Sequence, residues 1–224
     1  MRGLSDRTEV LLTLLVAFGA IVPQSIAALL DPQRLYARAA PPITNAALLS
    51  TVIYQLVVLG VLSTFLAARG WTLPRLGLKP SWRESGAGVG LAVVYYFCVT
   101  LLWILIVVVW PRIGALGAAT HLVRADLQLP TVLLLCMVNP VFEEVFLCGY
   151  VISALRESRG VTTAINVSAA IRVFCHFYQG AVGVIAIVPM ALLFGYVYAR
   201  SGRLWPLIVA HAIVDLAGLV PYLT

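Results

Sequence analysis

Hydrophobic residues along this chain fall in long blocks separated by short polar punctuation. Apolar runs recur at close to the roughly 20 residues that a helix needs to cross a hydrocarbon layer. The pattern predicts seven helices, over about residues 10–30, 43–68, 85–110, 130–156, 161–178, 181–199 and 203–222. Breakers set their limits. "DPQRLYARAAPP" follows the first, "RGWTLPRLGLKPSWRES" the second and "PRIGALG" the third, while "RESRG" and "ARSGR" mark two later turns. Asn139-Pro140 interrupts the fourth run and predicts a kink or a separate short helix there. The expected fold class is all-α, a polytopic membrane bundle of about seven transmembrane helices. Within that single integral-membrane domain, residues 1–128 read as N-terminal spans and loops, and 129–224 as the helices that carry the chemistry.

Composition narrows the class. The 224 residues are 62% hydrophobic and 11% charged, with mean hydropathy +1.00. A water-soluble domain is usually about 45–50% apolar and about 25% charged. The net charge of +6 does not mark a nucleic-acid surface, because the basic residues lie between apolar runs, where they set topology. On one side fall Arg2, Arg7, Arg69, Arg75, Lys79, Arg83, Arg156, Arg159, Arg200 and Arg203; on the other fall Arg34, Arg38, Arg112 and Arg124. That imbalance predicts a multi-pass cell-membrane protein with its N-terminus in the cytoplasm and its C-terminus outside. Trp71, Trp82, Trp110 and Trp205 sit at predicted span ends, as an interfacial belt requires. Cys98, Cys136, Cys148 and Cys175 all lie in apolar runs and read as buried thiols rather than a disulfide framework.

Ionisable residues inside the predicted spans are few: Glu143, Glu144, Arg172, His176, His211 and Asp215. All lie in the last four helices. Charges at membrane depth are expensive and face a bundle interior or a wet cavity, so the cluster points to one shared site. His211 and Asp215 are one helical turn apart, as are Arg172 with His176 and Glu144 with Cys148. Glu143 points about 100° away from Glu144, so one carboxylate can face a cavity while the other faces a neighbouring helix. A glutamate partly stripped of water is a stronger base and suits water-driven hydrolysis. Neutral histidines can donate to an oxyanion or ligate a metal, and Asp215 can orient His211. The structural alternatives are packing histidines, an Asp215 that only ties helices together, and an Arg172 that only neutralises a glutamate.

Three stretches, "NPVFEEVFLCGYVISALRESRG", "HFYQG" and "LWPLIVAHAIVDLAGL", resemble the ordered motifs EExxxR, FxxxH and HxxxN/D of the CAAX protease and bacteriocin-processing (CPBP) family of intramembrane endopeptidases. The resemblance covers about residues 130 to 220. It implies that Glu143 activates the attacking water, Glu144 supports it, His176 lies beside the scissile carbonyl, and His211 with Asp215 stabilises the oxyanion. It implies no cofactor if glutamate alone acts. Zinc is the alternative, with Glu143, His176 and His211 as the ligands, although they lack the local HExxH arrangement. The implied partners are the lipid bilayer and a peptide or membrane-anchored protein substrate, with no nucleic acid.

Two positions depart from the motifs. Cys148 stands where the family has Arg, and Arg172 stands where it has Phe. Together they suggest an exchange, in which Arg172 supplies the missing guanidinium to Glu144 from another helix. The competing expectation is a catalytically impaired relative that serves as a membrane scaffold or immunity-type binding protein. A proton-relaying transporter is less well supported, because the polar residues are confined to one half of the chain. One tension remains in the predicted boundaries: His176 falls near the outer end of the fifth helix, whereas His211 lies only about two turns into the seventh.

Overall fold

The computed structural model describes residues 6–31, 43–111 and 127–223. Most of the predicted Pro111–Leu129 loop, with His121, Arg112 and Arg124, lies outside the described residues, as do Arg2, Arg34 and Arg38. In chain order the helices are α1 (Asp6–Phe18), α2 (Val22–Leu30), α3 (Asn45–Ala68), α4 (Trp82–Val109) and α5 (Leu129–Glu143). A π-helical stretch, Glu144–Ile152, joins α5 to α6 (Ser153–Arg159). Then come α7 (Val161–Cys175), α8 (Gly180–Ser201) and α9 (Trp205–Leu219). Among the described residues there is no strand, only a single bridge between Leu127 and Leu223. The fold class is the expected all-α membrane bundle.

The count of seven spans is not reproduced. Among the described residues five stretches are long and apolar enough to cross a membrane: α3, α4, Leu129–Arg159, Phe177–Ser201 and Trp205–Tyr222; the α1–α2 pair raises this to six if it is one broken span. The first apolar run bends by 77° between α1 and α2. Pro23, in the first turn of α2, has no N–H to continue the ladder of α1, and its ring favours the start of a new helix. The fifth run also falls short. α7 has 15 residues, a length of about 22 Å against a hydrocarbon layer of about 30 Å. It stops at His176, where a 3-10 turn (Phe177–Gln179) and Gly180 at φ +74° redirect the chain into α8.

This shortness removes the tension between His176 and His211. Because α7 ends at Cys175, His176 sits beside Glu143, about halfway along the stretch Leu129–Arg159. Asn139-Pro140 does not divide α5; Pro140 lies within it, and the wider π-helical turns begin four residues later.

Leu129–Arg159 is the axis of the bundle, with 67% of its apolar window buried, against 11% for α4. Phe142, Phe146 and Tyr150 are almost wholly enclosed, and Phe142 meets Phe18 and Phe146 edge-on at 5.5 and 5.1 Å between ring centres. α4 turns most of its surface to lipid and packs along α9. At Gly88 a Cβ would come within 2.7 Å of the Pro206 carbonyl oxygen and of Val209, so glycine sets how closely these helices approach.

The basic loops gather at one end of the bundle. The amide of Leu204 donates to the Gly77 carbonyl at 3.0 Å, and Arg203 pairs with Glu84 at 2.7 Å. The Tyr198 hydroxyl lies 3.2 Å from the carbonyls of Leu76 and Gly149. Here too Glu9, buried on α1, accepts hydrogen bonds from Arg69, from Trp71 Nε1 at 2.9 Å and from the Tyr150 hydroxyl at 3.0 Å. Of the four span-end tryptophans, Trp82 and Trp110 are 79% and 62% exposed, as a belt requires. Trp71 and Trp205 instead turn inward and donate to Glu9 and Ser85.

Candidate active site

Adjacent positions on a helix face different ways, and the two glutamates at the end of α5 do so. Glu144 is fully buried and turns toward α7 and α9. One of its oxygens, Oε1, lies 2.7 Å from an Arg172 terminal nitrogen and 2.7 Å from His211 Nδ1. The guanidinium forms an ion pair with it and the imidazole donates a hydrogen bond to it. The second terminal nitrogen of Arg172 lies 3.9 Å from Cys148 Sγ, and the guanidinium carbon is 5.8 Å from the Phe194 ring centre. Arg172 is 1% exposed, so Glu144, Cys148 and Phe194 enclose a cation sealed from solvent. A buried charge without a partner costs several kcal/mol, and this pairing offsets that cost.

Glu143 faces the other way, toward a small cleft of about 60 Å³ lined by Phe18, Gln55, Asn139, Glu143, His176 and Tyr178 among others. Its Oε1 stands 3.8 Å from His176 Nε2, while Oε2 is buried with no hydrogen-bond partner. His176 is held from behind: its Nδ1 lies 2.6 Å from the Arg172 carbonyl oxygen. A carbonyl only accepts, so Nδ1 carries the hydrogen, and Nε2 is the ring nitrogen turned toward Glu143. Arg172 thus touches both glutamate environments, its side chain on Glu144 and its backbone on His176.

A hydrogen-bonded chain extends behind His211. His211 Nε2 lies 3.4 Å from Asp215 Oδ1, the looser of its two contacts. Asp215 Oδ2 accepts from Asn139 Nδ2 at 2.8 Å, and Asn139 Oδ1 accepts from Gln55 Nε2 at 2.6 Å. All seven residues singled out in the sequence, including Arg172 and Cys148, therefore lie in one continuous cluster. They divide into a cleft-facing pair, Glu143 and His176, and a sealed group of Glu144, Arg172, Cys148 and His211, with Asp215 at the join. Asn139 and Gln55 were not anticipated as members. The signal was present, since each is an amide inside an apolar run and pays a desolvation cost if unpaired, but attention to ionisable residues passes over both.

His211 Nδ1 lies 2.7 Å from Glu144 Oε1 and Nε2 lies 3.4 Å from Asp215 Oδ1. Among the described residues, no group of three or more His, Cys, Asp or Glu is arranged to hold a metal.

The described helices thus enclose glutamates and histidines beside a narrow cleft. Residues 125–217 match the family model for type II CAAX prenyl endopeptidase Rce1-like proteins, in agreement with the CPBP resemblance of the motifs. The matched segment contains all of the cluster except Gln55. No curated protein and no solved structure matches the chain.

Proposed function

We propose that this protein is an intramembrane endopeptidase in which Glu143 activates a water for attack on a peptide bond. The observation that carries this reading is the 3.8 Å separation of Glu143 Oε1 and His176 Nε2 on the wall of the cleft. Both atoms accept hydrogen bonds. A water has two hydrogens, and one placed between them donates to each, which turns an oxygen lone pair toward the substrate. Attack transfers a proton from that water to Glu143, and the same carboxyl group then protonates the departing amine. His176 keeps the water aligned. The motif resemblance assigns the oxyanion to His211 and Asp215, a role that requires the substrate carbonyl to reach the enclosed His211 Nε2, whose contact with Asp215 is a loose 3.4 Å.

Arg172 takes the role that the first-motif arginine has in relatives. It reaches Glu144 from α7 rather than from one turn along the same helix, and Cys148 leaves the space for it. This geometry supports the exchange of the two positions over a catalytically impaired scaffold. The reaction needs no metal in this scheme. The basic end of the bundle, with Arg69, Arg75, Lys79, Arg83, Arg156, Arg159, Arg200 and Arg203, faces the cytoplasm. The substrate is a peptide or membrane-anchored protein that enters from the bilayer side.

The test is cleavage of a peptide library by purified protein in detergent micelles, with and without a chelator, beside Glu143→Gln. Cleavage that survives chelation and disappears in Glu143→Gln is the expected result. An inert wild-type protein would sink the peptidase reading in favour of the binding protein, and loss of cleavage with chelator would sink the metal-free scheme.

A further inference from the structure

Gln55 comes from α3, outside the segment that matches the family model, yet it lines the same cleft as Glu143 and His176. It is 4% exposed. The orientation of its amide is dictated by a charge two residues away along the chain of hydrogen bonds. The Asp215 carboxylate only accepts, so Asn139 must present Nδ2 to it. That leaves Asn139 Oδ1 to face Gln55 and accept from Nε2. Gln55 therefore has one polar atom uncommitted on the cleft wall, Oε1, and this oxygen is buried with no hydrogen-bond partner. An unsatisfied buried acceptor costs about 1–3 kcal/mol. It is tolerated where a ligand supplies the missing donor.

We infer that Gln55 Oε1 is a substrate-positioning acceptor, receiving a backbone N–H of a peptide bound in the cleft. The identity of the ligand as a peptide rests on the peptidase reading; the fixed acceptor rests on geometry alone. Gln55 lines the cleft together with Asn139, Glu143 and His176, and a peptide backbone offers N–H donors along its length to an acceptor placed there. With Nε2 held by Asn139 the Gln55 amide cannot flip, so Oε1 stays presented as an acceptor for an N–H at that point. It thereby fixes the register of the peptide relative to Glu143.

The experiment measures binding apart from turnover. A fluorescein-labelled octapeptide, selected from a random library for binding to Glu143→Gln protein, is N-methylated at each amide in turn. Affinities are read by fluorescence anisotropy for Glu143→Gln and for Glu143→Gln/Gln55→Met. Gln55→Met, which keeps the length of the side chain, should weaken the parent peptide about threefold to tenfold. N-methylation at one amide should weaken binding by a similar factor when Gln55 is present and have no further effect with Met. Equal penalties at every position in both proteins would overturn the assignment. If Gln55→Met loses its cooperative melt, Gln55→Asn, which withdraws the amide by one methylene, is put through the same scan with the same two outcomes. Coupling at one amide without cleavage by the wild-type protein would refute the peptidase while leaving Gln55 in place; cleavage without coupling would refute Gln55 alone.

Discussion

Glu143 and Glu144 are neighbours of identical chemistry, and the fold gives them opposite surroundings. Glu144 is sealed, with Arg172 and His211 both 2.7 Å from a single oxygen. Each glutamate leaves its Oε2 without a hydrogen-bond partner, but Glu143 stands on a cleft and its other oxygen is only near a histidine. A carboxylate held by an ion pair and a hydrogen bond is a structural anchor and a poor base. A carboxylate with spare acceptors beside an open cleft can take a proton. The difference comes from one step of helical rotation, about 100°, which turns one side chain toward α7 and α9 and the other toward α1, α3 and the end of α7.

The sharpest way to break this comparison is Glu143→Gln. Losing a general base should reduce peptide cleavage by about 10²–10⁴-fold while leaving the melting transition unchanged, as measured by initial rates and thermal unfolding in the same detergent. Equal losses of activity and stability would place Glu143 with Glu144 as an anchor. On the sealed side the expectation reverses. Arg172→Met leaves a buried carboxylate unpaired and should cost about 3–5 kcal/mol of stability, read by unfolding. Activity should fall with it.

Next in size is the exchange of positions. Arg172→Phe alone should be as damaging as Arg172→Met, whereas Cys148→Arg with Arg172→Phe should return cleavage to within about tenfold of wild type. A fully active Arg172→Phe protein would refute the exchange. Asp215→Asn keeps an acceptor for Asn139 Nδ2 and should change cleavage by no more than about fivefold, the worth of one modest hydrogen bond. The smallest effect is expected away from the site: Trp71→Phe removes one donor to Glu9 and should cost about 1 kcal/mol in unfolding without altering kcat/KM.

Much of the site was legible because membrane burial makes charge conspicuous. Glu143, Glu144, Arg172, His176, His211 and Asp215 stand out against long apolar runs, and their spacing already puts Glu143 and Glu144 on different faces. The amides were harder to see. Gln55 and Asn139 carry no charge, lie 84 positions apart, and acquire meaning only through the 2.6 Å bond between them. The span count failed for a related reason. Hydropathy measures whether a segment tolerates lipid, and both the α1–α2 run and α7 do. It does not register that Pro23 forces a bend or that α7 stops at His176.

The sequence by itself determined an all-α membrane protein, the candidate chemistry and the paired anomaly of Cys148 and Arg172, because composition, helical period and the cost of buried charge are local properties. Tertiary structure alone decided that Arg172 lies against both Glu144 and Cys148, that α7 ends beside Glu143, and that a glutamine from α3 joins the cleft. Those are contacts between segments distant in the chain. They depend on which helix faces pack together, and no periodicity within one helix encodes that.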